Sequence, residues 1–313
     1  MKLLAVAALA AAVLPPASVS PASVSPAPSP PRPPASDCGA SAARVRTADP
    51  AVRERNEMTP AEVTAVERDL AARLARLRGA QEGRRALPGR IKIPVYFHVL
   101  HDGTRGDVPT ERIRRQIAAM NTAYRGGHGG ADTGVRFELV QVTRTDNAAW
   151  YSQPETYEMK YKKLLRRGGA GTLNLYSADT GRELLGWSTF PWKYRSEPVR
   201  DGVVINPDSM PGGPIDHFDR GFTAVHETGH WLGLYHTFQD GCGGEGDRVD
   251  DTPPEREPSH QCPTGKDTCP GDGPDPVHNF MNYTWDTCMR EFTRGQGARI
   301  RQVWPVYRAE SAT

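Results

Sequence analysis

The stretch Thr223-Ala-Val-His-Glu-Thr-Gly-His-Trp-Leu-Gly-Leu-Tyr-His236 restricts this chain more tightly than any other. His226 and His230 are four residues apart, so on an α-helix they lie ~40° apart in azimuth and ~6 Å apart along the axis. Both imidazoles then reach one ion from one face. Glu227 projects from a neighbouring direction, close enough to touch a water on that ion without ligating it. His236 adds the decisive constraint. Six further helical residues would swing it ~240° from His230, onto the wrong side. A third ligand at that spacing requires the helix to end and the chain to turn back. Gly233 stands where a left-handed glycine does this at little steric cost. Three neutral imidazoles and a water make a four-coordinate zinc site with one open position, the catalytic and not the structural arrangement.

The pattern His-Glu-x-x-His-x-x-Gly-x-x-His resembles that of the metzincin metallopeptidases, whose zinc sits over a methionine-bearing turn. Asn279-Phe280-Met281-Asn282-Tyr283 is similar to that turn. Within the clan, His226 to Phe238 resembles most the pappalysin family, including ulilysin-like and cytophagalysin-like secreted bacterial proteases. The resemblance covers Arg90 to the C-terminus well and the N-terminal segment loosely. It implies a metzincin-type α/β (α+β) fold. This consists of a twisted, mostly parallel five-stranded sheet with an antiparallel edge strand, an active-site helix and an irregular, disulfide-stapled C-terminal subdomain. Met281 is then a packing floor and not a ligand. Tyr283 matches a family tyrosine that donates to the developing oxyanion; simple packing is the competing reading. Ulilysin-type relatives favour a basic residue after the cleaved bond, which makes Asp286 the candidate acidic pocket floor.

The N-terminus reads as delivery and restraint. Met1-Lys2 precedes an apolar run, Leu3 to Leu14, closed by Pro15-Pro16. That run is too short to span a bilayer and suits a secretory signal, residues 1–22. No cysteine follows it directly, which disfavours a lipoprotein anchor. A Pro/Ala/Ser-rich linker, 23–37, has nothing to bury. In 38–89, Thr59-Pro60-Ala61-Glu62 forms a capping box with proline at the first helical position. Val63, Val66, Leu70, Leu74 and Leu77 then follow at helical spacing. One amphipathic helix without a domain of its own must dock on something, so 38–89 reads as a pro-segment packed against a peptidase domain, 90–313, and ending near Arg84-Arg85 or Arg90. Cys38 is the odd one of five cysteines. It is either a free or intermolecular thiol or, as Asp37-Cys38-Gly39 resembles the family's cysteine-switch segments, a thiolate filling the open zinc position in a latent form.

Within 90–313, Ile91 to Leu100 reads as a central strand and Thr110-Glu111 opens a helix carrying Ile113, Ile117, Met120 and Tyr124 on one face. Val135–Val142, Leu173–Tyr176 and Val203–Ile205 read as further strands. Leu185-Gly-Trp-Ser-Thr-Phe is the expected sheet edge above the cleft, where open backbone groups pair with an extended peptide. Gln296 to Tyr307 reads as a C-terminal helix. His98, His101, His128, His217, His260 and His278 lack a comparable spacing and are left as surface or core residues.

Between His236 and Met281 there is almost no apolar periodicity, and such a loop is costly to order without staples. Cys242, Cys262, Cys269 and Cys288 allow three pairings; the family resemblance favours Cys242–Cys269 and Cys262–Cys288. Absence of Cys-x-x-Cys argues against a thiolate zinc site there. The acidic residues of the loop suit either a solvated surface or a calcium ion. Relatives bind structural calcium in this region, with Asp247, Asp251 and Thr252 as the candidate ligands here.

A formal charge of +2 gives no electrostatic case for nucleic acid or membrane partners. The sequence thus predicts a secreted, monomeric zinc endopeptidase acting on proteins or peptides, with Glu227 as general base. Two rivals stand beside it: a catalytically silent secreted zinc-binding protein of the same fold, which the presence of Glu227 disfavours, and a metallohydrolase of non-peptide amides, which the apparent pro-segment disfavours.

Overall fold

A computed structural model describes residues 42–45, 58–80, 89–181, 183–271 and 273–309. The chain divides into two compact units, Met1–Cys38 and Gly39–Thr313, and all described residues belong to the second. The expected signal segment, the linker, Cys38 and Arg84-Arg85 lie outside them.

The first elements are a strand, β1 (Ala42–Val45), and a helix, α1 (Pro60–Ala80). The capping box forms at α1: the Thr59 amide donates to Glu62 Oε2 at 2.8 Å and the Glu62 amide to Thr59 Oγ1 at 3.3 Å. Next come β2 (Ile91–His101), α2 (Thr110–Tyr124) and β3 (Val135–Asp146). Helix α2 buries the expected face of Ile113, Ile117, Met120 and Tyr124. Two helices then appear that periodicity did not reveal, α3 (Ala148–Ser152) and α4 (Pro154–Leu165). They are short and rich in polar and aromatic residues, so no apolar stripe marks them. Their start signals were present all the same: Asn147 accepts the Trp150 amide at 3.0 Å, and Pro154 opens α4. The chain continues through β4 (Leu173–Ser177), β5 (Leu184–Ser188), β6 (Val203–Ile205), α5 (Phe222–Trp231) and α6 (Arg294–Tyr307).

The sheet order is β1-β5-β6-β4-β2-β3. Strands β2, β3, β4 and β6 run parallel, and β5 is antiparallel to β6. This is the expected five-stranded sheet with its antiparallel edge, and β1 adds a sixth strand beyond it. β1 runs antiparallel to β5, with Ala42 opposite Ser188 and Arg44 opposite Gly186. One face of the sheet packs Val95, Phe97, Leu175 and Ile205 against α2 and α5. The other face packs Leu100, Tyr176, Trp187 and Val204 around Tyr161 of α4. With helices on both faces, β4 has no exposed residue, as parallel strands require.

Helix α1 docks as its amphipathic pattern predicts. Val63 packs with Phe190 and Tyr235. Glu67 pairs with Arg299 of α6 at 2.6 Å, and Asp69 accepts from Tyr307 at 2.8 Å. Between α5 and α6 the described residues contain no helix or strand apart from single-turn and bridge contacts. Order comes instead from Cys242–Cys269 and Cys262–Cys288, the pairing the family resemblance implied. Buried Glu255 supplies a polar hub, bound by Thr237 at 3.1 Å, by Asn282 at 2.8 Å and by Ser259.

Candidate metal centre

Helix α5 is buried along all of its 10 residues and ends in the reversal expected at Gly233. That residue has φ 96°. Its amide donates to His230 O at 2.8 Å while the Leu234 amide donates to Gly229 O at 3.0 Å. These two bonds define a Schellman ending. A Cβ on Gly233 would stand 2.8 Å from Val303 Cγ1 of α6, so glycine is required by both backbone and neighbour. The reversal returns His236 to the helix. Its Nε2 lies 3.0 Å from His230 Nε2, which is 3.1 Å from His226 Nε2. Among the described residues these three buried histidines are the one cluster of three or more His, Cys, Asp or Glu side chains placed to share an ion, with their donor atoms all within 4.8 Å.

The opposite ring nitrogens fix the tautomers. His226 Nδ1 lies 2.7 Å from Phe280 O and His230 Nδ1 2.8 Å from Leu234 O. A carbonyl only accepts, so both Nδ1 atoms carry the proton and both Nε2 atoms present lone pairs to the same point. Burial, and next to it the adjacent His236, push the His230 pKa well below its ordinary value, which keeps that ring neutral. Lone pairs converging at such spacing repel one another unless a cation sits among them. A borderline-soft ion such as zinc suits three imidazoles.

Glu227 is fully buried one residue beyond His226. Its Oε2 accepts from the Ser188 hydroxyl on β5 at 3.1 Å. The strand comes this close because Gly186 has no side chain; a Cβ there would lie 2.6 Å from Val204 O and 3.3 Å from Glu227 Cγ. Met281 lies beneath α5 where Gly229 leaves room, its Sδ 2.4 Å from where a Cβ on that glycine would stand. Its turn is closed by Asn282 N to Asn279 O at 3.1 Å and held by Asn279 Oδ1 accepting the Met281 amide at 2.9 Å. Tyr283 places its hydroxyl 3.3 Å from His236 Nε2.

The other expected site residues fall at varying distances from this centre. Asp286 is fully buried and its Oδ2 accepts the Arg220 amide at 2.9 Å, just ahead of α5. Asp247 and Thr252 are buried and line one concavity together with Asp251. Asp251 is exposed and accepts the Gly295 amide at 2.9 Å. Burial raises Asp247 to about 8, against the pull of Arg299. Of the remaining histidines, His98 is a core residue bound to Thr143 Oγ1 at 2.7 Å and Asn174 Oδ1 at 3.0 Å. Sequence reasoning passed over Ser188, Gly186 and Gly229. The edge strand was legible, but which of its side chains met the helix was not. The Gly four residues before Gly233 carried a signal, since glycine inside a helix needs a packing reason.

Residues 186–304 match the family model described as pregnancy-associated plasma protein-A. An extracellular metalloprotease of Arthroderma benhamiae is 43% identical over 225 residues, covering 70% of this chain and 74% of that protein. Extracellular metalloprotease 1 of Coccidioides posadasii is 43% identical over 229 residues, covering 71% and 80%. Among solved structures, mature mirolysin of Tannerella forsythia in complex with a cleaved peptide aligns with TM-score 0.62 and 29% identity, over 68% of this chain and 90% of that one. A promirolysin mutant from the same organism aligns with TM-score 0.67 and 26% identity, over 78% and 88%.

Proposed function

The chain belongs to the pregnancy-associated plasma protein-A family of metallopeptidases, the pappalysins among the metzincins, and from that premise we propose a secreted, zinc-dependent endopeptidase made as a latent precursor. It is a metalloendopeptidase, so its substrates are proteins or peptides. In the proposed reaction His226, His230 and His236 hold the zinc and Glu227 is the general base. One observation carries the reading: the Nε2 atoms of three buried histidines converge, two of them with lone pairs fixed by their Nδ1 bonds, and the next residue after the first is a buried carboxylate.

A bound zinc supplies a Lewis acid that polarises the scissile carbonyl and brings water toward a pKa of ~7. Glu227 takes a proton from the attacking water as the new C–O bond forms. It then delivers that proton to the amide nitrogen as the C–N bond breaks. The Tyr283 hydroxyl, beside His236, donates to the oxygen that gains charge. Met281 shapes the floor under the ligands and holds no proton. Asp286 is the proposed acidic determinant for a basic residue after the cleaved bond, and a peptide-library cleavage profile tests it.

Latency is supported by the likeness to promirolysin and by two contacts of the N-terminal region. β1 uses the outer edge of β5, the backbone groups an extended peptide would need. α1 lies against Phe190 and Tyr235, next to His236. We assign 1–22 to a signal peptide, 23–37 to a linker, 38–89 to the pro-segment and 90–313 to the peptidase, with Cys38 as the thiolate that closes the zinc position. The relatives' description as extracellular supports export. Among the described residues no helix is long and apolar enough to cross a membrane. We take the exported enzyme to be a monomer that engages neither membrane nor nucleic acid. Calcium is proposed at Asp247 and Thr252, buried side chains that line one concavity, with exposed Asp251 on the same concavity.

The rival of a silent zinc-binding relative is disfavoured by the seating of Glu227. Mass spectrometry of peptides digested by the activated chain decides between them. E227Q should keep its zinc and lose ~10²-fold or more in rate. Equal cleavage by wild type and E227Q, or a purified chain devoid of metal, overturns the assignment.

A further inference from the structure

We propose that Ser188 is a positioning residue for the general base, which extends the assignment of Glu227 above and rests on it. Nothing in the zinc motif calls for it. The motif places a carboxylate on α5, but a glutamate's terminal torsion is broad and does not orient its two oxygens. The Ser188 hydroxyl, donating to Oε2 at 3.1 Å, removes that freedom. Holding one oxygen from the strand sets the plane of the carboxylate and the direction in which it meets the attacking water.

A hydrogen bond orients a group only if its own anchor is fixed, and this one is fixed from both sides. Ser188 is the last residue of β5 and pairs with Val203 of β6. The next residue, Thr189, gives its amide to Gly202 O at 3.2 Å and its hydroxyl to Asp201 Oδ1 at 3.1 Å. Asp201 in turn accepts Trp231 Nε1 at 3.2 Å. Trp231 ends the helix that carries Glu227. A closed ring therefore runs from Glu227 through Ser188, Thr189 and Asp201 back to α5. Arg308 seals it, donating to Asp201 at 2.8 Å and to Trp231 O at 3.0 Å. Ser188, Glu227, Asp201 and Arg308 are all fully buried. The distance from hydroxyl to carboxylate is thus set by the sheet and the helix end, and catalytic geometry is sensitive to shifts of this order.

The test uses the activated full chain after wild type has been shown active and E227Q inactive, so that failure here leaves the zinc reading standing. S188A should lower kcat roughly 5- to 10-fold. It should leave KM within about 2-fold, because peptide pairing to the strand uses backbone groups. Zinc content should not change. S188T, which keeps the hydroxyl, should recover most of the loss. A readout independent of turnover is the thermal midpoint: S188A should lower it more in the wild-type background than in E227Q, where the charge-assisted bond is already gone. The proposal is overturned by a kcat unchanged in S188A, by a rise in KM alone, or by equal midpoint losses in both backgrounds.

Discussion

Replacing Glu67 by Gln measures what holds α1 to α6. The carboxylate grips the Arg299 guanidinium with both oxygens, at 2.6 and 3.2 Å, and accepts from Tyr235 at 3.0 Å. Arg299 is itself buried, lies over the Tyr235 ring at 4.6 Å and donates Nε to Gly233 O at 2.8 Å. Glutamine keeps the shape and loses the charge, leaving a buried cation without its counter-ion. Breaking a fully buried pair this way costs ~3–5 kcal/mol. The Glu67 side chain is 22% exposed, so ~2–3 kcal/mol is the better expectation. In a domain of this size that lowers the unfolding midpoint by ~4–12 °C. Burial pushes the Glu67 carboxyl up, but the Arg299 bonds and charge outweigh it and hold it below the usual carboxylate range. With the folded pKa depressed, the stabilisation is present above the unfolded value of ~4.3 and disappears as pH falls through the folded one. Thermal scans of wild type and E67Q across pH should therefore converge on acidification. A midpoint in E67Q equal to wild type at neutral pH, or a gap that widens in acid, refutes the reasoning.

G233A places a side chain at φ 96° and 2.8 Å from Val303 Cγ1; it should cost roughly 2–4 kcal/mol and lower zinc content, since His236 depends on that reversal. G229A should gain ~1 kcal/mol of helix propensity and lose ~1–3 kcal/mol to overlap with Met281, a net penalty in denaturant titration that shrinks when Met281→Ala is added. Burial lowers His98 from 6.5 to about 4, so its folded pKa lies below the unfolded one. Stability should then fall as pH drops from the unfolded value to the folded one, by at most ~3 kcal/mol, with the His98 ring signals in NMR reporting a neutral ring throughout that window.

How much of this was legible beforehand depended on the range of the signal. The helix start at Thr59, the reversal at Gly233 and the spacing of His226, His230 and His236 are local, and their chemistry can be read within a dozen residues. The cysteine pairing was not local; residues alone allowed three solutions, and only the family resemblance chose Cys242–Cys269 with Cys262–Cys288. Helices α3 and α4 escaped because each buries isolated side chains and no apolar stripe, Tyr151 in α3 and Glu158 and Tyr161 in α4. Ser188 and Arg299 escaped for a further reason: each acts across the fold, one from a strand edge onto α5 and the other from α6 onto both α1 and Gly233. A sequence shows what a residue is; partners separated by 39 positions, as Ser188 and Glu227 are, become visible only when the sheet has registered.

That distinction bears on where the site draws its rigidity. Helix α5 supplies His226, His230 and Glu227, the proposed base, but α6 and the residue after it fix the rest. Arg299 holds the Gly233 carbonyl, Val303 fills the space the glycine leaves, and Arg308 caps the end of α5 at Trp231 O. Asn279, the first residue of the methionine turn, exchanges two bonds with Gln296 of the same helix, at 3.0 and 2.9 Å. Each contact fixes a backbone group or a turn and none touches the ligand atoms. His236, the proposed third ligand, is the most exposed to loss of this support, because it follows a reversal that has no helix of its own to hold it. Local sequence therefore sets the chemistry of the centre, whereas its precision is imposed by a helix that begins 58 residues after His236 and carries no catalytic group.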